Sequence, residues 1–476
     1  NFNFSDLYDD WQLGSLKQFE ANKGMQIIES NIGFHKENLT KEDKQELITY
    51  CEYDVEATVE LYKHRKQYLD SKRILSEEFN IAYDRAMKST NAKLSAIILE
   101  AQGKSLTKPT DYTIPKKVES YIRTYVPQKA IDNFQAIQYD RQSKPKKDPD
   151  IVLFENDIFF GVGGLHSTIG KNVAVGATEE DMILLDIDVK SYYPNLMIHF
   201  DYMSRNVRDK SKFELIYNTR AKLKAEGNDR QKAYKLVLNT TYGAMKNKYN
   251  KLFDPYNASS LCFTGQLLLT ALANQLYQET PDLKVIQTNT DGILVYLPKK
   301  YKDKVSAIVK DWENLTDLQM EENPMQYFFQ RDVNNYIGVK ANGDIKLKGK
   351  WANQAEYGEK LSNLNAPIVH KALLAYYSDG VPIEKTIGQS TELQDYCFTT
   401  KMGYTYDSLL YKNYGKLDPL QKVNRVYATT NYNLGTLYKY KEREDRYDKI
   451  AEIPRHCGLL NTALKDTNMP TDIDYQ

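Results

Sequence analysis

Apolar residues change their spacing several times along the 476-residue chain, and each change marks a candidate element. Residues 43 to 69, DKQELITYCEYDVEATVELYKHRKQYL, repeat apolar side chains at helical intervals, and the pattern continues from 73 to 103 around LSAIILEAQG. That spacing predicts a largely helical N-terminal part. Between about 104 and 150 the chain turns polar and irregular, with TKPTDYTIP and QSKPKKDPD carrying Pro and Lys in the manner of a connector. A new unit is predicted from about 151, where FENDIFFGVGGLHS joins an apolar run to three glycines that suit close backbone approach. The run MILLDI at 182 to 187 reads as a buried strand with Asp188 at or just past its end. The Ser-Tyr-Tyr-Pro that follows breaks it, and Pro194 can open a helix in its first turn. Further on, KVIQ and ILVYLP flank TNTDG at 288 to 292, which predicts a hairpin because Asp-Gly tolerates positive φ at both positions.

Charge sharpens one segment. Formal net charge is zero, yet from Arg205 to Lys248 there are twelve Lys or Arg against four Asp or Glu. Such a stretch is either a surface facing a polyanion or a solvated helix pair. Arg220 and Lys224 are one turn apart, and Lys235, Asn239 and Tyr242 share a helical face. Two antiparallel helices joined at EGND, residues 226 to 229, would turn two rows of cations and one ring toward a common space suited to a triphosphate under a base. Two carboxylates remain to be explained, since one at the end of a buried strand is costly unless paired or metal-bound. Asp188 as a capping residue and Asp291 as a turn former stay open as alternatives.

Composition narrows the classes. With 41% hydrophobic residues the chain can build substantial globular cores, and no run approaches the roughly 18 apolar residues of a membrane span. No secretory signal is visible after Asn1, and the four scattered cysteines read as free thiols in a reducing, cytoplasmic setting. The dispersed histidines suggest no zinc finger.

DVKSYYPN at 188 to 195, KLVLNTTYG at 235 to 243 and TNTDG at 288 to 292 resemble, in order and form, motifs A, B and C of family B DNA polymerases, and the chain looks like the bacteriophage type. SLKQFEANKG, YCEYDVEAT, RDVNNYIGV, LKGKW and APIVHKALLAYYSDGVPIEKTI are also similar to the family, so the resemblance spans nearly the whole chain. It implies an α+β, multidomain right hand: a palm of antiparallel sheet and helices, with helical fingers and thumb, after a partial ribonuclease H-like exonuclease domain. The implied divisions are 1–72 exonuclease, 73–150 helical connector, 151–200 and 251–350 palm, 201–250 fingers and 351–476 thumb. It implies a monomer that adds deoxynucleoside triphosphates to a primer-template, with two magnesium ions (manganese as a substitute) and with processivity or other replication proteins as partners. Asp188 and Asp291, with Val189 beside the first, match the metal-holding positions. Ser191, Arg220, Lys235 and Asn239 match nucleotide-binding positions, Tyr193 the ring that excludes a ribose 2′-hydroxyl, and Tyr242 the ring under the nascent pair. Tyr336, Lys348 and Arg425 match or suggest contacts to DNA, and the basic run KYKER at 439 to 443 is either a phosphate-tracking surface or a solvated helix face.

The departures carry expectations of their own. Asn289 stands where relatives carry the first Asp of motif C, and Tyr192 where Leu is common, a change expected to concern packing. Asn334 and Asn335 precede Tyr336 where relatives place lysines, and the Gly161 to Gly164 stretch only loosely matches a template-strand element. Tyr50 and Asp54 match the third exonuclease motif, but no D-x-E strand precedes them in NFNFSDLYDDWQ, so Asp54 is expected to be an orphaned ligand and proofreading absent. TDIDYQ stops where relatives continue into a last helix. From Asp188 to Lys235 is 47 residues and from Gly243 to Asp291 is 48, which leaves no room for the insertions of protein-primed relatives. The alternative to an active polymerase is an impaired, polymerase-like remnant that binds primer-template DNA.

Overall fold

The computed structural model describes residues 7, 14–30, 32–33, 35–104, 106, 112–139, 151–161, 163–177, 181–349, 365–450 and 453–476. Most of NFNFSDLYDDWQ, the polar stretch 140–150, Val162 and the end of LKGKW lie outside the described residues. The described helices are α1 (Leu16–Asn22), α2 (Lys41–His64), α3 (Lys66–Glu78), α4 (Tyr83–Met87), α5 (Asn91–Ile98), α6 (Lys116–Tyr125), α7 (Gln128–Tyr139), α8 (Tyr192–His199), α9 (Ser211–Ala225), α10 (Gln231–Lys246), α11 (Pro255–Glu279), α12 (Lys302–Thr316), α13 (Pro367–Asp379) and α14 (Ile383–Gln389). Two compact units account for them. One is Gln67–Leu347, and the other joins the stretch that ends at Lys66 to Lys348–Gln476.

The first unit is built on a ten-stranded sheet. Its strands are β1 (Ile151–Leu153), β2 (Asn156–Phe160), β3 (Leu165–Thr168), β4 (Val173–Gly176), β5 (Met182–Val189), β6 (Lys284–Asn289), β7 (Gly292–Pro298), β8 (Met320–Asp332), β9 (Asn335–Lys340) and β10 (Ile345–Lys348). They run in the order β1-β2-β3-β6-β7-β5-β8-β9-β10, with β4 paired to β8. The pairings among β1 to β9 are antiparallel, and β5 lies inside the sheet between β7 and β8. The apolar run read from the sequence therefore is a central strand, buried from Leu184 to Ile187. Helix α11 carries no charge before Glu279 and is buried along most of its length, as a helix that is apolar all round must be. Asp254 caps it through the Asn257 N–H and is itself clamped by Arg205.

The stretch expected to be a connector is structural. Helices α6 and α7 bury Val118, Ile122, Ala130, Ile131 and Phe134, and Phe134 stacks on Phe160 of β2 at 4.5 Å. Their apolar positions, spaced by one turn, outweigh the polar composition around them.

The second unit differs from the helical thumb that the resemblance implied. Besides α1, α2, α13 and α14 it contains β11 (Cys397–Lys401), β12 (Ser408–Asn413), β13 (Lys416–Leu420), β14 (Val423–Ala428), β15 (Leu437–Lys441), β16 (Arg446–Lys449) and β17 (Cys457–Leu459). These form two antiparallel sheets, β11-β14-β17 and β13-β12-β15-β16. KYKER accordingly starts on a strand, not a helix face. Arg425 is a second correction. On β14 its side chain is fully buried and donates to the carbonyls of Ala21, Leu460 and Thr462 (each 3.0 Å) and of Glu20 and Met25. The planar fork of its guanidinium suits this knot of carbonyls, and a side chain so committed does not track phosphates.

Asp54 is held in an ion pair. Lys17 on α1 reaches its Oδ1 at 2.6 Å, reaches Glu20 at 2.9 Å and lies 4.7 Å from the Tyr50 ring centroid. Two carboxylates share one ammonium. Burial pushes the Glu20 carboxyl up to about 7 against the pull of Lys17.

Candidate active site

Antiparallel register brings the two acidic motifs together. Asp188 at the end of β5 pairs with Gly292 at the start of β7, and the Val189 N–H donates to the Asp291 carbonyl at 2.8 Å. Val189 thus fixes the backbone of one acidic residue to that of the other. Gly292 is needed for space rather than for its φ. A Cβ there would fall far inside 3.0 Å of Asp188 Oδ1 and 3.2 Å from its Cγ, so this carboxylate lies over the opening of the β6–β7 hairpin.

The hairpin tip differs in detail from the Asp-Gly turn expected. Asn289 pairs with Gly292, so Thr290 and Asp291 form the tip, and it is Thr290 that takes the left-handed conformation (φ 62°). A β-branched residue there carries strain of about 1–3 kcal/mol. The surroundings hold it. Thr290 N–H donates to the Leu165 carbonyl at 2.8 Å, and Gly164 packs so closely that an added Cβ would meet Thr290 Oγ1 at 2.7 Å and its Cα at 3.0 Å. Gly164 therefore serves to admit the hairpin tip. Asn289 directs its amide to the Val333 carbonyl, linking the tip to the β8–β9 turn.

The turn after β5 is built similarly. Ser191 is left-handed (φ 46°), and Asn195 donates to the Lys190 carbonyl at 2.6 Å and to Tyr217 of α9 at 3.1 Å. Arg220 of α9 donates to Ser191 Oγ at 3.2 Å. Burial lowers its pKa, and its Nε has no hydrogen-bond partner among the described residues. On α10, Lys235 and Asn239 are exposed while Ala233, Val237, Leu238 and Thr241 are buried. The predicted face thus points outward over an apolar back that packs on α9 and α5. Tyr242 meets Tyr193 edge to face at 4.6 Å, and Lys246 stands 4.0 Å over its ring. Tyr193 donates to the Gly163 carbonyl. Tyr192 is buried and its hydroxyl donates to the Gly265 carbonyl. Lys224 is exposed one turn beyond Arg220.

Two expected DNA contacts look different here. Tyr336 is buried on β9 against Phe328 at 4.9 Å, with Asp186, Asp188, Asp291 and Lys346 the charges around its hydroxyl. It is a wall of the carboxylate cluster and not an exposed ring. Lys348 ends β10 and is half-buried.

Two residues of the cluster carried no expectation. Asp186 lies two residues before Asp188 on β5 and is buried. Lys346 of β10 donates to Asp186 Oδ2 at 2.7 Å and to Asp188 Oδ2 at 2.8 Å. Burial, reinforced by Asp188, raises the Asp186 carboxyl to about 6 although Lys346 pulls it down. For Lys346, burial opposes the charge, but the two carboxylates more than offset it and the ammonium ends above its usual value. The D-x-D spacing in an apolar strand could have flagged Asp186. Nothing in the sequence marks Lys346.

The donor set suits a hard divalent cation. Asp188 at the end of β5 and Asp291 at the neighbouring hairpin tip supply carboxylates, and an ammonium already takes a cation's place at Asp188 Oδ2. Among the described residues no three His, Cys, Asp or Glu side chains gather closely enough to hold a metal by themselves. That fits an ion such as magnesium, which takes one or two carboxylates and completes its shell with water and substrate phosphates.

No family model matches the chain. Stretches of it are similar to DNA polymerase 1 of Sulfolobus acidocaldarius (31% identity over 149 residues, 29% of this chain and 17% of that protein) and of Saccharolobus solfataricus (29% over 137 residues, 28% and 15%). A third relative is the catalytic polypeptide of DNA polymerase epsilon from Yarrowia lipolytica (30% over 127 residues, 26% and 6%). The chain thus matches less than a fifth of the length of each of these relatives. Among solved structures it is similar to the family B DNA polymerase of Pyrobaculum calidifontis, with a TM-score of 0.39 and 14% identity over 77% of this chain and 47% of that one.

Proposed function

We propose that the protein is a template-directed DNA polymerase of family B that extends a primer 3′-hydroxyl with deoxynucleoside triphosphates. One observation carries the reading: the pairing of Asp188 with Gly292, which brings the end of β5 beside the hairpin tip that carries Asp291. The named relatives, all DNA polymerases, support it. The bacteriophage type rests on the resemblance of the motifs alone.

In this reading the sheet of the first unit is the palm and α9 with α10 the fingers. Asp188 and Asp291 would hold divalent cations, whose charge would activate the primer hydroxyl and offset that of the leaving pyrophosphate. The chain's own residues do the rest. Arg220, Lys235 and Asn239 bind the triphosphate, with Ser191 anchoring Arg220. Tyr193 bounds the sugar and Tyr242 supports the new base pair, each braced by the other. Lys348 contacts the DNA backbone. The chain does not proofread in this reading, in which Asp54 belongs to the ion cluster of Lys17 and Glu20.

Primer extension with magnesium and four deoxynucleotides tests the proposal. The parent should extend, and Asp188→Asn and Asp291→Asn should each abolish extension while leaving the fold intact. An inactive parent that still binds duplex DNA would instead identify a polymerase-like remnant.

A further inference from the structure

We propose that Lys346, anchored on the buried Asp186, is a positioning residue that holds one oxygen of Asp188 and leaves the other to face a divalent cation; the inference rests on the polymerase reading of this site. The geometry divides the Asp188 carboxylate between two neighbours. Oδ2 accepts from Lys346 at 2.8 Å, whereas Oδ1 lies over Gly292, on the side of the hairpin that carries Asp291. Without a partner at Oδ2, a half-exposed Asp side chain turns about χ1 and χ2 and can offer an ion either oxygen or both. With Lys346 in place it offers one, in one direction.

The lysine is built into the fold for this. Its strand lies beyond β8 and β9 from β5 in the sheet order, so the long side chain has to cross the sheet face to reach the pair. It passes Gly338 of β9, where an added Cβ would stand 3.7 Å from Lys346 Cβ. Asp186 supplies the fixed end. It is the more buried of the two carboxylates, and a buried carboxylate in mid-strand is retained at a cost of several kcal/mol unless an ammonium meets it. One ammonium between two carboxylates also removes much of the negative charge that would draw a divalent ion to Asp188, so the free protein should bind metal weakly until substrate phosphates add their own charge.

The test measures manganese binding to the free, intact chain by electron paramagnetic resonance, alongside primer extension. Lys346→Met should tighten manganese on the order of tenfold and lower kcat at saturating metal and deoxynucleotide, with little change in KM for deoxynucleotide. Lys346→Arg should restore both toward the parent values. Asp186→Asn combined with Lys346→Met removes one charge of each sign, so it should keep manganese affinity near the parent value yet lose kcat as Lys346→Met does, and a parent-like kcat in it overturns the proposal if the single variant fails to fold. Unchanged manganese affinity in folded Lys346→Met also overturns it. A parent that binds manganese through Asp188 but extends no primer defeats the polymerase reading and leaves the positioning role standing. Manganese binding indifferent to Asp188→Asn defeats both.

Discussion

Replacing Gly292 by Ala perturbs one atom at the point where the two acidic motifs meet. Gly292 has no left-handed φ, so alanine strains no backbone there, and the effect comes from the new Cβ alone. That carbon would fall well inside 3.0 Å of Asp188 Oδ1, a separation real Cβ atoms essentially never show, with the Cγ at 3.2 Å. The backbone of β5 is locked between β7 and β8, so the carboxylate has to swing by about 1 Å, away from the hairpin and out of line with Lys346. The Asp188 side chain is 29% exposed and has room to move, so the stability loss should be small, about 1 kcal/mol. A displacement of that size at a reacting centre lowers the rate by about 100-fold. Steady-state primer extension reads the rate, and thermal unfolding reads the fold. A Gly292→Ala protein that keeps its melting temperature and extends primers within about threefold of the parent would show that the Asp188–Gly292 approach does not set the position of the reacting carboxylate.

Other predictions concern the frame. Arg425→Met should destabilise the second unit by about 3–5 kcal/mol, because five carbonyl contacts lose their donor, while the salt dependence of DNA binding stays as in the parent; chemical denaturation and binding at two ionic strengths check this. Glu20 is fully buried and its folded pKa, about 7, lies above the unfolded value, so the folded state holds the proton more tightly. The stability this gives is present at acid pH and is lost as pH rises through 7, by roughly 3 kcal/mol in all. Urea unfolding at pH 5, 6 and 8 should show that fall, and Glu20→Gln should flatten it. Gly164→Ala should cost about 1–3 kcal/mol, since the new Cβ meets the Thr290 backbone at its Cα, 3.0 Å away, as well as Oγ1 at 2.7 Å; a melting temperature unchanged from the parent would contradict it. Asp54→Asn should not alter degradation of a mismatched primer, because the parent is expected to show none that depends on Asp54.

Local pattern carried the central features and failed where the partner was distant. The run MILLDI could be read as a buried strand because its apolar side chains are contiguous, and TNTDG as a hairpin because turn chemistry lies within four residues. Which residue of that turn would be left-handed was not readable. Thr290 adopts φ 62° only because Leu165 and Gly164, more than a hundred residues earlier, close around it. The exposed face of α10 followed from its periodicity, yet the Arg220–Ser191 contact required knowing how α9 meets the turn after β5. Lys346 is separated from Asp186 by 160 residues and looks like any surface lysine in IKLKG. Arg425 misled for the same reason, since a charged letter in VNRVYA does not disclose that carbonyls from both sides of the unit surround it. The strands of the second unit were missed because the resemblance implied helices there and the short, tyrosine-rich runs gave no strong alternation against it.

The Arg425 knot also bears on how the chain is made. It ties β14 to residues 20 to 25, some 400 positions earlier in the sequence. At about 5–20 residues per second, a ribosome needs roughly 20 to 80 s to deliver the arginine after those carbonyls emerge. Helices α1 and α2 must wait through that interval without their partner strands, while Gln67–Leu347, the bulk of the other compact unit, is already complete and can fold first. A chaperone that shelters nascent apolar segments would find its longest-lived client in the opening helices of this protein.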